Sequence, residues 1–330
     1  MPCRKIENPG QPAGLAAWLK GLLGAIPGLV PLAADGGLRR YFRLPERGLL
    51  ALHGPDHREN LAWLRIGRHL WFKGLPLPRL RAHDLERGFF LLDDLGDGRL
   101  DYRPDRLGRL PRAVTNLARF HREGLRDFNP AWAFQTRTYN AALVARQEVG
   151  YFLKSFAADY LGLKIPRPAW AEAKEFARAA VPEQGKPSLM HRDFQVRNLM
   201  VREEEVFILD WQGARLGPAA YDLASLLEDH PFEDLPPESL DSLINLYLKE
   251  AGQKGRGRAF RRELLWLGAA RLMQALGAFG KFTLAGKPGY TRAMKPMTGR
   301  LRRRFSQPPL RRFRCLEEVL EAAAAALETR

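Results

Sequence analysis

The sequence predicts an α+β fold with two lobes, a small β-rich N-terminal lobe with one main helix and a larger, mostly helical C-terminal lobe. Short apolar runs typical of strands are concentrated before residue 93, whereas helical periodicity dominates the rest of the chain. A polar, glycine-containing connector at 93–98 separates the two patterns. We therefore expect residues 1–92 to form an N-terminal lobe, 93–98 a hinge, and 99–330 a C-terminal lobe.

The N-terminal lobe begins with a predicted helix over 11–24. The later segment 58–73 carries apolar residues at helical spacing and is followed by Gly74. Glycine readily adopts the left-handed conformation that ends helices, so a second helix is expected to stop there. Alternating or continuous apolar runs predict strands at 40–44, 48–53, 79–83 and 88–92.

The C-terminal lobe reads as a series of amphipathic helices. One non-helical stretch, 187–210, interrupts the series and contains a polar loop followed by an apolar strand. Helices are predicted at 104–122, 138–161, 168–180, 219–229, 237–251, 259–280 and 314–328.

Composition excludes several classes of protein. The chain has 330 residues, 45% of them hydrophobic and 27% charged, which is typical of globular domains. Its longest uncharged run, 21–34, contains two prolines and is shorter than the roughly 20 residues of a membrane-spanning helix. The N-terminus has no apolar core of a secretory signal, and two cysteines, Cys3 and Cys315, cannot build a disulfide scaffold. We expect a cytoplasmic protein with no membrane contact.

Positive charge is the unusual bulk property, with a formal net charge of +16. Segment 287–315 contains no acidic residue and is rich in arginine. A solvated basic surface is the favoured interpretation, and binding of nucleic acid, a phosphorylated ligand or an acidic partner stays open.

The candidate chemistry is concentrated after residue 189. His191 and Asp193 are followed by Asn198, and Asp210 ends the apolar run 206–209. Phosphoryl transfer from ATP needs one carboxylate that accepts the proton of the attacking hydroxyl, and nearby oxygen ligands for Mg²⁺. A chance match to the H-x-D-x₄-N spacing is expected only about 0.007 times in a chain of this composition. The pattern therefore indicates a kinase-like site.

Two segments carry a family resemblance, HRDFQVRN at 191–198 and ILDWQGARLGPAAYDLASLLED at 208–229. They resemble the aminoglycoside phosphotransferase superfamily, which comprises small-molecule kinases with a protein-kinase-like fold. The combination is similar to bacterial cell-wall amino-sugar kinases, which phosphorylate the anomeric hydroxyl of N-acetylmuramate and N-acetylglucosamine. The resemblance implies ATP and Mg²⁺ as cofactors and a small-molecule sugar as substrate.

The resemblance also implies roles for single residues. Asp193 is the expected catalytic base, and Asn198 and Asp210 the expected Mg²⁺ ligands. Support of the site is expected from His191, Arg215 and Asp222. Contact with the substrate is expected from Gln195, Arg197 and Gln212, although each of these could equally brace a loop.

Nucleotide binding is expected at the glycine loop and the hinge, so that 1–92 is the expected nucleotide-binding lobe and 99–330 the expected catalytic and substrate-binding lobe. Glycines permit close approach of backbone N–H groups to phosphates, and the hinge would present backbone groups to adenine. Protein kinases pair a strand lysine with the ATP phosphates, but the matching strand 49–53 has none. Arg39 or Arg40 is expected to supply the charge, and Glu59 to orient it. The predicted nucleotide-binding residues are Gly36, Gly37, Arg39, Arg40, Glu59, Asp93, Asp94 and Leu95.

The leading hypothesis is therefore an ATP- and Mg²⁺-dependent kinase that converts N-acetylmuramate or N-acetylglucosamine to the 1-phosphate, in peptidoglycan recycling. One alternative is a kinase of another small alcohol, such as an aminoglycoside. An alternative of another class is a catalytically silent kinase-fold adaptor or nucleic-acid-binding protein. The intact Asp193, Asn198 and Asp210 speak against that second alternative.

Overall fold

The structure is a computed structural model that describes residues 10–25, 27–32, 38–181, 187–228, 235–287 and 289–329. The predicted phosphate-loop residues Gly36 and Gly37 lie outside the described residues.

The N-terminal part forms a five-stranded antiparallel sheet, whose strands lie in the order Val30–Leu32 (β1), Arg40–Leu44 (β2), Leu49–His53 (β3), Phe89–Asp93 (β5) and Leu80–Asp84 (β4). One long helix, α2, connects the third and fourth strands in chain order. The elements are α1 (Leu15–Leu23), β1 (Val30–Leu32), β2 (Arg40–Leu44), β3 (Leu49–His53), α2 (His57–Phe72), β4 (Leu80–Asp84) and β5 (Phe89–Asp93).

Local chemistry explains the ends of α2. The side chain of Asp56 accepts a hydrogen bond from the backbone N–H of Glu59 at 3.0 Å and so caps the N-terminus. At the other end Gly74 adopts a φ of 69°, and the Leu75 N–H bonds back to the Leu70 carbonyl at 3.1 Å. The glycine ending expected from the sequence is confirmed.

The two faces of the sheet bury different cores, because side chains alternate along each strand. Phe42, Ala51 and Phe89 face α1, where Leu15 and Leu19 are fully buried in a small cluster. On the opposite face Leu52, Phe90 and Leu92 belong to the large cluster that also contains the core of the C-terminal helices. Apolar packing thus runs without a break from the sheet, past α2, into the second half of the chain.

The C-terminal part is mainly helical. Its helix α4 spans 141–160 and contains two π-helical stretches, Val144–Val149 and Phe152–Tyr160. The other helices are α3 (Arg106–Glu123), α5 (Arg167–Ala180), α6 (Ala219–Leu227), α7 (Pro237–Glu250), α8 (Gly257–Leu284), α9 (Thr291–Phe305) and α10 (Arg314–Glu328). Two small antiparallel sheets pair β6 (Ser188–Met190) with β9 (Arg215–Gly217) and β7 (Leu199–Arg202) with β8 (Glu205–Ile208).

The predicted fold class is confirmed, but one helix was not predicted. Helix α9 lies in the arginine-rich segment 287–315, for which the composition favoured a solvated basic surface. Its buried residues recur at helical spacing, as with Met294, Met297, Leu301 and Phe305, so one face packs against the core despite the basic composition. Nowhere in the part of the chain that the structure describes is a helix long and apolar enough to cross a membrane.

Candidate active site

The candidate catalytic loop lies between β6 and β7 and is anchored by a buried carboxylate. The backbone N–H groups of His191 and Arg192 donate to Asp222 at 2.6 and 2.7 Å. His121 also donates to this carboxylate, from Nε2 at 2.9 Å. Arg192 has a φ of 81°, a conformation that is costly for a residue with a side chain. The Asp222 carboxylate holds the loop in this conformation, which fits the support role expected for it.

His191 connects the loop to the strand that carries the second candidate carboxylate. Its ring is fully buried, and its Nε2–H donates to the backbone carbonyl of Leu209 at 2.8 Å. Leu209 precedes Asp210, which adopts a left-handed φ of 62°. His191 therefore holds the two segments of the site together.

Asp193 is partly exposed in the wall of a cavity of about 320 Å³. Burial raises the pKa of its carboxyl, but the nearby charges of Arg192 and Arg271 outweigh burial, so that the pKa lies below its usual value. Arg271 Nη2 is 4.0 Å from Asp193 Oδ1, and Gln195 Nε2 donates to the same oxygen at 3.4 Å. The carboxylate is ionised at neutral pH and is oriented by a neighbouring amide, as a proton acceptor should be.

Asn198 and Asp210 line the same cavity and fit a divalent cation. The Asn198 amide nitrogen donates to the Asp193 carbonyl at 2.8 Å, which leaves its oxygen as a ligand. One Asp210 oxygen accepts from Gln212 at 2.7 Å, and the other makes no hydrogen bond to the described residues. Within that part of the chain, no group of three His, Cys, Asp or Glu side chains could hold a metal. An Asn–Asp pair suits Mg²⁺, which keeps water and substrate phosphates as further ligands.

Gln212 is adjacent to the cavity that Gln195, Arg197 and Asp210 line but is not itself one of its lining residues. Its Nε2 donates both to Asp210, at 2.7 Å, and to Glu59 on α2, at 3.0 Å. The side chain turns towards α2 and braces Asp210, and contact of Gln212 with the substrate stays a prediction.

Arg39 and Glu59 continue this chain of contacts towards the sheet. Arg39 is 6% exposed, and its Nη2 is 3.6 Å from Glu59 Oε1. Its guanidinium nitrogens have no hydrogen-bond partner of good geometry among the described residues. Arg40 instead donates to the Gly10 carbonyl and is exposed, so Arg39 is the arginine that the structure places beside Glu59.

The hinge carboxylates are engaged by arginines. Arg81 donates to both Asp93 oxygens, at 2.5 and 3.1 Å, and Arg43 Nε is 2.6 Å from Asp94. The backbone N–H of Asp94 donates a hydrogen bond to the Gly48 carbonyl. These contacts hold the hinge against the sheet, and nucleotide binding by Asp93, Asp94 and Leu95 stays a prediction.

Arg215 is 2% exposed and lies beneath the catalytic loop. It donates to Gln135 at 2.7 Å and to Thr136, and Arg192 donates to the same Gln135 oxygen at 2.8 Å. Burial and the positive charge of Arg192 lower the pKa of Arg215 to about 10. The support role expected for Arg215 fits these contacts.

Two buried groups beside Asp193 were missed from the sequence. Arg271 lies in the apolar stretch WLGAARLM of α8, where one charged residue could have served as a signal. Glu148 is 3% exposed in a π-helical stretch of α4 and accepts from Tyr221 at 3.2 Å. Burial raises the pKa of Glu148 to about 7, opposed by the charges of Arg271 and Arg192. Helical periodicity gave no signal for Glu148, since π-helical turns shift the buried face.

The remaining wall of the cavity combines polar and aromatic side chains. The Tyr290 ring centroid lies 5.2 Å from that of Phe279 and 5.1 Å from that of Phe282. The residues that line the cavity are Asp193, Gln195, Arg197, Asn198, Asp210, Ser225, Glu228, Arg271, Leu272, Gln274, Ala275, Ala278, Phe279, Phe282, Tyr290 and Met297. Its volume lies near the lower end of the range for small-molecule sites.

Comparison with proteins of known sequence gives named relatives. An N-acetylmuramate/N-acetylglucosamine kinase of Pseudomonas aeruginosa is 31% identical over 278 residues, which cover 79% of each chain. The protein of the same name from Neisseria meningitidis is 26% identical over 291 residues, 82% of this chain and 84% of that one.

Solved structures support the protein-kinase-like fold. A choline/ethanolamine kinase family protein from Mesorhizobium loti superposes with a TM-score of 0.63 at 18% identity, covering 93% of this chain and 97% of that one. The ADP-bound aminoglycoside phosphotransferase APH(2'')-Ib superposes with a TM-score of 0.60 at 14% identity, covering 96% of this chain and 99% of that one. At such identities the likeness concerns the fold alone. The Phosphotransferase enzyme family matches residues 28–264, most of the chain, and this protein therefore belongs to that family of enzymes, which transfer phosphate to alcohol groups.

Proposed function

We propose that the protein is an ATP-dependent kinase that phosphorylates the anomeric hydroxyl of N-acetylmuramate or N-acetylglucosamine to the sugar 1-phosphate, and that it serves peptidoglycan recycling. One observation carries the proposal: Asp193, the Asn198–Asp210 pair and two arginines, Arg197 and Arg271, line a single cavity of about 320 Å³. The names of the relatives support the choice of sugar.

In this mechanism Asp193 accepts the proton of the sugar hydroxyl. The hydroxyl oxygen forms a bond to the γ-phosphorus while the bond from that phosphorus to the ADP oxygen breaks. The lowered pKa keeps Asp193 ionised, and Gln195 holds the accepting oxygen in place. Mg²⁺, held by Asn198 and Asp210, would neutralise charge on the phosphate oxygens. Positioning and electrostatics supply most of the rate enhancement.

Substrate contacts are proposed for two residues of the catalytic loop. Gln195 and Arg197 both line the cavity beside Asp193. The amide can hydrogen-bond a sugar hydroxyl, and the guanidinium can pair with the carboxylate of a muramic sugar or with phosphate.

Nucleotide binding is proposed at the cleft between a lobe of residues 1–92 and a lobe of residues 99–330, joined by the hinge at 93–98. Arg39 supplies the positive charge for the phosphates, oriented by Glu59, in place of the absent strand lysine. Arg39 is buried, its ion pair with Glu59 at 3.6 Å is long, and its guanidinium nitrogens make no hydrogen bond of good geometry to the described residues. These unmet donors support a contact with phosphate, because buried polar groups require hydrogen-bond partners. The backbone around Leu95 is proposed to meet adenine.

The role of Arg39 is testable with Arg39→Met, which keeps much of the side-chain volume and removes the charge. We expect KM for ATP to rise about tenfold or more, while KM for the sugar changes little, since a charged hydrogen bond contributes on the order of 1.5–3 kcal/mol. Arg40→Met is the matched control, because Arg40 is exposed and turned to Gly10. Equal effects of the two substitutions on KM for ATP contradict the assignment.

The decisive experiment is phosphate transfer from ATP with Mg²⁺, read by phosphorus NMR, to N-acetylmuramate, N-acetylglucosamine, glucose and one aminoglycoside. For the wild type we expect a 1-phosphate to form on an N-acetylated sugar. For Asp193→Asn we expect kcat to fall about 10²–10⁴-fold. ATP affinity should stay within a few-fold, because Asp193 touches the acceptor. Asp159→Asn is the control, since that carboxylate pairs with Lys154 on the surface.

The four acceptors distinguish the proposed function from its alternatives. Transfer to the aminoglycoside alone supports a kinase of another small alcohol, and no transfer with intact ATP binding supports a silent adaptor. Full activity in Asp193→Asn contradicts the catalytic assignment.

A further inference from the structure

The cavity has an aromatic end that the proposed chemistry does not use. Phe279 and Phe282 of α8 and Tyr290, which directly precedes α9, all line it, and all three side chains are partly exposed. Tyr290 is the central ring, because it contacts both phenylalanines at interplanar angles of 43° and 42°. Phe282 is also approached by Lys287, whose Nζ lies 5.0 Å from the ring centroid. We call these three rings the aromatic wall.

One face of α8 joins the aromatic wall to the candidate base. The helix begins this surface at Arg271, whose Nη2 is 4.0 Å from Asp193 Oδ1. From there the cavity-lining residues recur every three or four positions, which places them on one side of the helix. Two alanines in the middle of the series have small side chains and leave room for a ligand above the helix. This series is Arg271, Gln274, Ala275, Ala278, Phe279 and Phe282.

The two ends of the cavity suit different parts of a sugar. Around Asp193 the wall is polar, with Gln195 bonded to the carboxylate and Ser225 accepting from Arg271. Hydroxyl groups project from the rim of a pyranose ring, whereas C–H groups cover its two faces. The electron-rich face of an aromatic ring attracts such weakly positive hydrogens, and the contact also removes apolar surface from water. The aromatic wall therefore matches a ring face.

We infer that the aromatic wall is a stacking subsite for the pyranose ring of the acceptor. The C–H face of the sugar packs on Tyr290, with Phe279 and Phe282 supporting that ring, while the anomeric hydroxyl reaches Asp193. Stacking fixes the orientation of the sugar among several similar hydroxyl groups. The cavity volume of about 320 Å³ suits a single sugar ring. This inference rests on the proposed function, since it takes a sugar as the acceptor.

The test replaces the central ring by an aliphatic side chain, in Tyr290→Leu. We expect KM for N-acetylglucosamine to rise about three- to tenfold, because the stacking contact is lost, and KM for ATP to stay within about twofold. Phe282→Leu should raise KM for the sugar in the same direction. Tyr290→Phe keeps the ring without its hydroxyl and should keep KM for the sugar within about twofold of the wild type.

An unreactive ligand separates binding from chemistry. The 1-deoxy analogue of N-acetylglucosamine has the ring but no anomeric hydroxyl, so it should act as a competitive inhibitor. Its inhibition constant should rise in Tyr290→Leu by the same factor as KM for the sugar. Phe72→Leu is the matched control, since it makes a similar change at a side chain that is 86% exposed at the end of α2. It should leave both constants at their wild-type values.

Three results overturn the inference, each for folded variants as judged by thermal unfolding. If Tyr290→Leu and Phe282→Leu leave both constants unchanged while the wild type phosphorylates the sugar, the stacking subsite is wrong and the proposed function stands. If Tyr290→Phe loses as much as Tyr290→Leu, the hydroxyl and not the ring face binds the sugar. If the wild type phosphorylates no sugar while ATP is bound, the proposed function fails, and the subsite fails with it.

Discussion

At the scale of single residues, buried carboxylates determine the geometry of the site. The Asp222 carboxylate accepts hydrogen bonds from two backbone N–H groups and from His121. These contacts hold Arg192 at a φ of 81°. Glu148 behaves differently, because its partners at close range are tyrosines. Tyr221 donates to it, and the Tyr139 ring lies 5.0 Å from that of Tyr221. Asp222 therefore anchors the backbone of the catalytic loop, whereas burial raises the pKa of Glu148 to about 7.

The first residue-scale prediction concerns the pH dependence of stability. Burial raises the pKa of Glu148 from 4.5 to about 7, so the unfolded chain ionises this group before the folded protein does. The free energy of unfolding should therefore fall as pH rises from about 5 to 7. In Glu148→Gln this pH-dependent fall in the free energy of unfolding should be smaller by up to about 3 kcal/mol. Urea unfolding at pH 5 and pH 8 measures it.

The matched control for Glu148 is Glu175→Gln, which changes an exposed glutamate on α5. It should keep the wild-type slope of stability against pH. A Glu148→Gln variant whose slope equals that of the wild type contradicts the assignment of a raised pKa.

At the scale of elements, the packing of α2 on the segment after Asp210 links the sheet to the site. Trp211 is 1% exposed, its Nε1 donates to the Trp63 carbonyl at 2.9 Å, and the two indole centroids are 4.8 Å apart. Gly67 on α2 makes this approach possible, because a Cβ there would lie 2.9 Å from the Trp211 Nε1. The position of Asp210 therefore depends on a glycine in a different element.

Gly67→Ala tests this link. Although alanine favours helices, we expect the substitution to destabilise the protein by about 1–3 kcal/mol, because the buried indole must move. We also expect KM for ATP to rise, since Glu59 on the same helix contacts Gln212 and Arg39. Chemical unfolding and steady-state kinetics measure the two effects.

Gly108→Ala in α3 is the control for Gly67, because nothing lies near its would-be Cβ. It should stabilise the protein slightly, by up to about 1 kcal/mol. If both alanine substitutions change the free energy of unfolding in the same direction, close packing at Gly67 is not the cause of the change.

At the scale of the whole molecule, a net charge of +16 does not by itself make a nucleic-acid surface. Several cations of α9 are paired within the structure: Lys295 with Glu328, Arg302 with Glu321, and Arg304 with Glu228. Paired cations release fewer counterions from DNA, so they contribute less to binding.

We therefore predict no binding of a generic DNA duplex at about 150 mM salt, measured by fluorescence anisotropy. Arg302→Met should leave this result unchanged. Submicromolar binding that weakens steeply with salt, and that Arg302→Met reduces, contradicts the prediction and favours the nucleic-acid-binding alternative.

The sequence by itself determined strands β2 to β5 and the described helices apart from α9, and it predicted the candidate catalytic residues. Both depend on local information: hydrophobic periodicity, the glycine after α2, and the spacing of Asp193, Asn198 and Asp210. The tertiary structure alone decided which side chains meet. Arg39 rather than Arg40 lies beside Glu59, Gln212 turns to α2, and the buried α9 arginines meet Glu228. The contacts of Gln212 with Glu59 and of Arg304 with Glu228 join residues far apart in sequence, where packing, not local pattern, fixes orientation.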